Sequence, residues 1–323
     1  MPAVSVIIPV YKVEHYIARC ARALFAQTLE DIEYLFIDDC TPDRSIDVLK
    51  AVLDEFPNRK AQTRILRMPV NSGQAKVRMF GISQATGDYV IHCDSDDFPA
   101  DDAYGLMYSK AAAENLDIVT CDYCSGDGDK WTECRLQFNP GKEYSDLFLG
   151  RSSGALWLRL IKKELLDGIL PPVENMGEDI VITGQAVCRA VRFGHVSKPL
   201  YYYRMNSESI CRTPGRDAIV SRWKSCSVNI EVLLKALREN YGHADSEPEI
   251  VFLKYNCRHW LEPVVHIPEY YGYWKNTYPE VDRVFLSTPG IRPDTKFWFV
   301  MIHLRLYRPL KGLMRGLKRI RNR

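Results

Sequence analysis

The sequence has 323 residues, of which 46% are hydrophobic and 26% charged, ordinary proportions for a soluble globular chain with room for one large domain or two modest ones. A formal net charge of +2 gives no bulk electrostatic reason to expect a nucleic-acid partner. No stretch reaches the roughly 20 apolar residues of a membrane span, and the opening Met1-Pro2-Ala3-Val4 lacks the basic n-region of a secretory signal, so neither an integral membrane protein nor a secreted one is expected.

Along the first half, strand-like and helix-like segments alternate. Val4 to Val10 is a β-branched run interrupted by a proline, suited to a strand buried on both faces. Residues 13–26 carry Ile17, Cys20, Ala21 and Leu24 at helical spacing, and Ile32 to Ile37 reads as a second strand ending at Asp38-Asp39. A helix over 45–56 places Ile46, Leu49 and Leu53 on one face. A third strand follows at 63–66, a helix at 74–85 after the turn Asn71-Ser72-Gly73, and a fourth strand at 88–93. This order predicts an α/β fold with a parallel sheet covered by helices on both faces, and such sheets bind ligands beyond the carboxyl ends of their strands. Asp38-Asp39 and Asp94-Ser95-Asp96-Asp97 both fall at such ends.

Beyond Cys124 the pattern weakens. Gly126, Gly128 and Gly141 punctuate a polar stretch to about 152, read as a loop or short hairpin insertion. Residues 155–166 suggest a helix, with Trp157 at helical spacing from Leu160 and Ile161. Pro171-Pro172 marks a loop, 178–191 a helix, 194–202 a returning strand that runs on to Tyr203-Arg204, and the chain from about 216 looks helical. His195, at a strand start, reads as a surface histidine. Ser207 and Ser209 follow that strand. The ten cysteines form one CxxC pair, Cys121 and Cys124, with no second pair to complete a tetrahedral zinc site, and free thiols of a cytosolic protein are expected.

Three carboxylates in the four residues 94–97 repel one another unless solvent or a cation relieves them, and hard Mg²⁺ or Mn²⁺ commonly takes one or two carboxylates plus substrate phosphates. The alternative is a solvated acidic turn capping the next helix. The segments Val4-Ser5-Val6-Ile7-Ile8-Pro9-Val10-Tyr11, Phe36-Ile37-Asp38-Asp39 with Asp43, Asn71-Ser72-Gly73 leading to Arg78, Ala85-Thr86-Gly87-Asp88-Tyr89 and Asp94-Ser95-Asp96-Asp97 follow one another in order. Together they resemble the family 2 glycosyltransferases of GT-A fold, a large bacterial group that builds surface polysaccharides. The resemblance covers about 3–205.

That resemblance implies a Rossmann-like, mostly parallel GT-A domain over 1–210, followed by a helical C-terminal extension over 211–323. It implies a nucleotide-sugar donor, with UDP the commonest nucleotide of the group, lying against Pro9, Val10 and Tyr11. Asp38 or Asp39 contacts the base, and Arg78, with Lys76 nearby, approaches the diphosphate or base. Asp94, Ser95 and Asp97 lie along the donor, with Asp97 close to the sugar. A divalent metal, Mn²⁺ or Mg²⁺, is held by Asp94 and Asp96. Where the family often has Ala-Arg-Asn after its glycine turn, this chain has Lys76-Val77-Arg78-Met79.

The pair Glu178-Asp179 follows Gly177 at a helix start, where acids are also favoured by the helix dipole. The resemblance makes Asp179 the catalytic base, and the chemistry asks for one, because an acceptor hydroxyl must lose its proton as it attacks the anomeric carbon. A base on the acceptor side and a metal behind the leaving group imply inversion at that carbon. Glu178 and Trp157 are acceptor-side candidates, Trp157 serving either as a sugar-stacking indole or as core. Acceptors in the group are often glycans or lipid-linked glycans.

From 303 to 323 the chain is basic without an acidic residue, and Leu310, Leu313, Met314, Leu317 and Ile320 form a helical stripe beginning beside Pro309. Such a helix suits an anionic membrane surface at the cytoplasmic face, or docks on the protein, or remains a basic tail. Two other function classes compete. An NAD-dependent dehydrogenase needs GxGxxG after its first strand, where this chain has Pro9-Val10-Tyr11-Lys12. A catalytically silent binding protein has no use for both the DxD and the Glu-Asp pair.

Overall fold

The computed structural model describes residues 2–128, 130–205 and 214–321, with side chains described as far as 314. In chain order the elements are β1 (Val4–Val10), α1 (Ile17–Phe25), β2 (Ile32–Asp38), α2 (Ser45–Asp54), β3 (Thr63–Arg67), α3 (Gln74–Gln84), β4 (Tyr89–His92), β5 (Phe98–Pro99), α4 (Ala103–Glu114), β6 (Ile118–Asp127), β7 (Lys130–Cys134) and α5 (Glu143–Phe148). There follow β8 (Arg159–Lys162), α6 (Glu178–Arg189), β9 (Phe193–Arg204), α7 (Arg216–Glu239), α8 (Pro248–Cys257), α9 (Pro268–Asn276), α10 (Val281–Val284), α11 (Pro293–His303) and α12 (Tyr307–Arg321).

The strands make one sheet in the order β3-β2-β1-β4-β8-β6-β9-β5, with β7 hairpinned onto β6. The β3-β2-β1-β4 half is parallel, as the alternating pattern predicts, and β8 then joins antiparallel to both β4 and β6. Apolar residues on successive positions serve opposite faces. On β1, Val4, Val6, Ile8 and Val10 pack under α1, α2 and α4, whereas Ile7 faces α3 and α6. On β2, Tyr34 and Phe36 join the first layer, Leu35 and Ile37 the second. Helix α7 adds Ile230, Leu233, Leu234 and Leu237 to that second layer beside Val181 and Ile182 of α6. A third core, built on Trp274, Phe285 and Phe299, gathers the C-terminal helices.

Three expectations need correction. Residues 155–166 are not a helix: 159–162 form β8, flanked by single 3-10 turns. Its apolar Leu160 and Ile161 satisfy a strand as readily as a helix, and the open edge of β4 decides, with Val90 and Ile118 both opposite Ile161. His195 is not a surface histidine. Its ring is 8% exposed, between the Thr120 hydroxyl (3.0 Å) and Asp122 (3.2 Å), and is stacked on Phe138. The acidic cluster does not cap a helix, since β5 intervenes before α4 starts at Ala103. Smaller adjustments concern α1, which starts at Ile17, and the 124–152 stretch, which holds the β6–β7 hairpin and α5.

Nine cysteines among the described residues are free thiols, Cys211 lying outside them. Ser207 and Ser209 also lie outside the described residues, as do the side chains of Leu317 and Ile320. Helix α12 has Pro309 in its first turn and exposes Leu313 and Met314. No helix among the described residues is long and apolar enough to cross a membrane.

Candidate active site

The carboxyl ends of β1, β2 and β4 lie side by side, with Val10 opposite Asp38 and Ile7 opposite His92. Chain leaving all three strands therefore meets at one edge. At the exit of β1, Val10 is buried, Pro9 half-buried and Tyr11 exposed, so Tyr11 is the side chain offered to solvent.

The two acids after β2 have different surroundings. Asp38 accepts the Thr41 amide at 2.8 Å and faces Arg67 Nε at 3.6 Å. Asp39 spends both oxygens on backbone amides, Ser72 at 2.7 Å and Gly73 at 2.8 Å, and thereby fixes the turn that opens α3. Asp43 accepts from the Thr41 and Ser45 hydroxyls and from the Glu14 amide. Burial pushes its pKa up, but the Ser45, Thr41 and backbone hydrogen bonds outweigh that and hold it at about 2.

Gly73 has φ +82°, and a Cβ there would fall 2.4 Å from Asn175 Nδ2. Asn175 Oδ1 in turn accepts the Ala75 amide at 3.1 Å. The loop that leads into α6 is thus tied to the first turn of α3. Gly177, left-handed at φ +82°, then turns the chain into α6, whose first two residues are Glu178 and Asp179.

This tie brings Arg78 onto the acids. Arg78 lies on the buried face of α3, 1% exposed, with Nη2 donating to Asp94 Oδ1 at 2.8 Å. Its Nε sits 3.4 Å from Glu178 Oε1 and 3.7 Å from Asp179 Oδ1. Burial would lower its pKa, but Asp94, Asp179 and Glu178 overcome that and keep it charged. Arg78 Nε and Nη1 and Asp179 Oδ1 are buried without a hydrogen-bond partner among the described residues. Burial pushes Asp179 up, Arg78 opposing and Asp94 reinforcing; Glu178 is pushed up further, by burial and then by Asp179. His92 is fully buried with both ring nitrogens unpartnered among the described residues, and burial followed by the Arg78 charge keeps it neutral. Lys76, two residues before Arg78, is exposed.

Asp94 to Asp97 form a turn closed by the Asp97 amide on the Asp94 carbonyl at 3.0 Å. Asp94 and Asp96 are half-buried, Ser95 buried. Asp97 points inward, accepting the Tyr201 hydroxyl at 3.0 Å and the Arg204 amide at 2.6 Å, and burial with the neighbouring Asp96 and Asp94 pushes its pKa well up. The same Tyr201 hydroxyl accepts the Asp94 amide, and Arg204 Nε donates to the Asp96 carbonyl. Trp157 is 8% exposed and lies parallel to Tyr201 at 4.4 Å and to Tyr203 at 5.5 Å. The indole therefore supports the strand that holds the acidic turn.

Nothing in the sequence marks Tyr201 or Asn175 as a site component, whereas Arg204, at the end of an aromatic strand, could approach phosphate or be structural. Tyr201 is legible only as part of an aromatic strand, and Asn175 only as a neighbour of the Glu-Asp pair. The sequence assigns Arg159 no role. It is buried and donates to the Ala155 and Ser153 carbonyls, clamping the loop that Thr183 holds from α6 through the Gly154 carbonyl.

The donor set suits a hard cation. Asp94 and Asp96 offer half-buried carboxylates on one turn, while Asp97 is committed to Tyr201 and Arg204. Among the described residues no three His, Cys, Asp or Glu side chains converge to hold a metal by themselves. Two carboxylates leave most of an octahedral shell to water and ligand oxygens, the usual division at a Mg²⁺–phosphate site.

Comparison with known proteins bears on the family and the fold. The chain is 28% identical over 274 residues to glycosyltransferase EpsJ of Bacillus subtilis, covering 81% of this chain and 76% of that protein. It is 28% identical over 208 residues to the poly(ribitol-phosphate) beta-glucosyltransferase of Bacillus spizizenii, 62% of this chain but only 32% of that longer protein. In fold it resembles residues 1–349 of S. aureus TarS in complex with UDP-GlcNAc, with TM-score 0.56 and 15% identity over 89% of this chain and 92% of that one. It also resembles the mannosyltransferase PcManGT of Pyrobaculum calidifontis in complex with GDP-Man and Mn²⁺, with TM-score 0.53 and 16% identity over 97% and 83%. The model of glycosyl transferase family 2 matches residues 5–184, from the first residues of β1 through the Glu-Asp pair into α6, and the chain belongs to that family.

Proposed function

We propose that the protein is an inverting glycosyltransferase that moves a sugar from a nucleotide-diphosphate donor, with UDP as the nucleotide, to a hydroxyl of a glycan or lipid-linked glycan during surface-polysaccharide synthesis. The observation that carries this reading is the convergence of Asp94, Glu178 and Asp179 on one buried guanidinium at the carboxyl edge of a parallel sheet. Tyr11 is the donor-facing side chain of the Pro9-Val10-Tyr11 exit, beside Asp38. Asp39 acts on the donor indirectly, by shaping the turn before α3. A divalent cation bound by Asp94 and Asp96 together with donor phosphate oxygens supplies charge neutralisation for the departing nucleotide diphosphate.

Asp179 takes the proton of the acceptor hydroxyl as that oxygen attacks the anomeric carbon and the bond from that carbon to the diphosphate breaks. Burial raises its pKa and makes it a stronger base than an exposed carboxylate, while the Arg78 charge opposes that rise. Glu178 holds Arg78 from the other side. Trp157 contributes by buttressing Tyr201 rather than by stacking on sugar, an inference supported by its burial.

The C-terminal part, 211–323, is read as a helical extension ending in a basic amphipathic helix on the cytoplasmic face of the membrane. Exposed Leu313 and Met314 beside Lys311 support that reading. The function is tested by a panel of UDP-, GDP- and dTDP-sugars with and without Mn²⁺. At least one UDP-sugar is expected to raise the melting temperature and to be hydrolysed only with metal present. A panel in which no donor responds overturns the reading.

A further inference from the structure

The loop that carries Asn175 toward α3 has a second side. Glu174 lines an open groove of about 520 Å³ whose other walls are α7, through Asp217 and Lys224, and α9, through Glu269, Tyr270 and Tyr273. Four residues later the same loop reaches Glu178 and Asp179. Ring contacts and a hydrogen bond tie the groove lining together. Tyr273 stacks on Trp223 at 5.4 Å and 16°, and Tyr270 stands 6.2 Å from Tyr273. Glu174 is held by the Ser225 hydroxyl at 3.0 Å.

Its chemistry is selective. Aromatic rings offer flat apolar faces that match the C–H face of a pyranose, and carboxylates accept pairs of sugar hydroxyls. Three carboxylates against one lysine make the lining net acidic, which disfavours a phosphate-rich chain or an anionic headgroup. An open groove suits a chain that passes along it rather than an enclosed small molecule.

We propose that this groove is a subsite for the neutral saccharide chain of the acceptor, guiding it toward Asp179 and selecting against polyphosphate acceptors; this rests on the transferase reading above. The test is isothermal titration of the full-length protein with neutral hexasaccharides (β-1,3-, β-1,4- and β-1,6-glucans and chitohexaose) and with poly(ribitol phosphate) as the polyanion. At least one neutral hexasaccharide is expected to bind wild type and Asp179→Asn equally. Tyr270→Ala is expected to weaken that binding about ten-fold, with Tyr270→Phe restoring it and donor hydrolysis unchanged in both. Saccharide binding without any donor response supports the groove and removes the transferase reading. The groove proposal is overturned if no neutral hexasaccharide binds, if Tyr270→Ala and Tyr273→Ala both leave binding unchanged, or if poly(ribitol phosphate) binds in preference.

Discussion

Carboxylates at the sheet edge are of two kinds. Asp39, Asp43 and Asp97 have their oxygens taken up by backbone amides, hydroxyls and a phenol, and each fixes a turn. Asp94, Glu178 and Asp179 instead share a single buried guanidinium at 2.8, 3.4 and 3.7 Å, with oxygen and nitrogen atoms left without hydrogen bonds among the described residues. Buried polar atoms are normally satisfied, so the second group carries a cost that the proposed chemistry accounts for. The contrast separates acids that build the site from acids that can act in it.

Substitutions can break this contrast. The largest effect is expected from Asp179→Asn, which should lower sugar transfer by about 10²–10⁴-fold while leaving thermal stability and donor affinity nearly unchanged. Initial rates beside melting curves decide it, and full turnover in the variant removes the proposed base. Because Asp179 must be ionised and its pKa is raised, the wild-type rate should fall on the acid side at a pH above the ordinary carboxylate range and recover as pH rises.

Arg78→Met strands three carboxylates and should cost about 3–5 kcal/mol in urea unfolding near pH 8. The raised Glu178 and Asp179 groups favour the folded state when protonated, so that loss should shrink as pH falls through their raised pKa values. A loss independent of pH contradicts the charge argument. Asp39→Asn, which trades one amide-accepting oxygen for a donor, should cost about 1.5–3 kcal/mol in urea unfolding. Asp43→Ala should cost about 1 kcal/mol. Its wild-type contribution is present above the usual carboxylate pKa near 3.9 and is lost as pH falls toward about 2, a window that acid titration of the folded protein can resolve.

The parallel half of the sheet was legible because buried parallel strands read as apolar runs and each ended in turn chemistry. From β1 to β4 the expected strands lie within one or two residues of those observed. Legibility failed where pairing partners are distant in sequence. Leu160 and Ile161 join a strand only because β4 and β6, some 70 and 43 residues earlier by their register partners Val90 and Ile118, leave edges to be filled. Within the site, residue types at motif positions could be named, but their division of labour could not. Nothing in Asp38-Asp39 says which acid caps the Asn71-Ser72-Gly73 turn, and nothing in Trp157 announces that its partners are Tyr201 and Tyr203. The resemblance puts Arg78 near the diphosphate or base, but nothing in the sequence shows that three carboxylates share its guanidinium.

The fit of Asn175 against Gly73 has a consequence for redesign. A methyl group at 73 would collide with the amide of 175, and a smaller residue at 175 would release the Ala75 amide. The two positions therefore form a single unit of inheritance: a loop carrying the Glu-Asp pair, transplanted from a relative into this scaffold, must bring its own matching turn, or the graft will seat α6 out of register with α3.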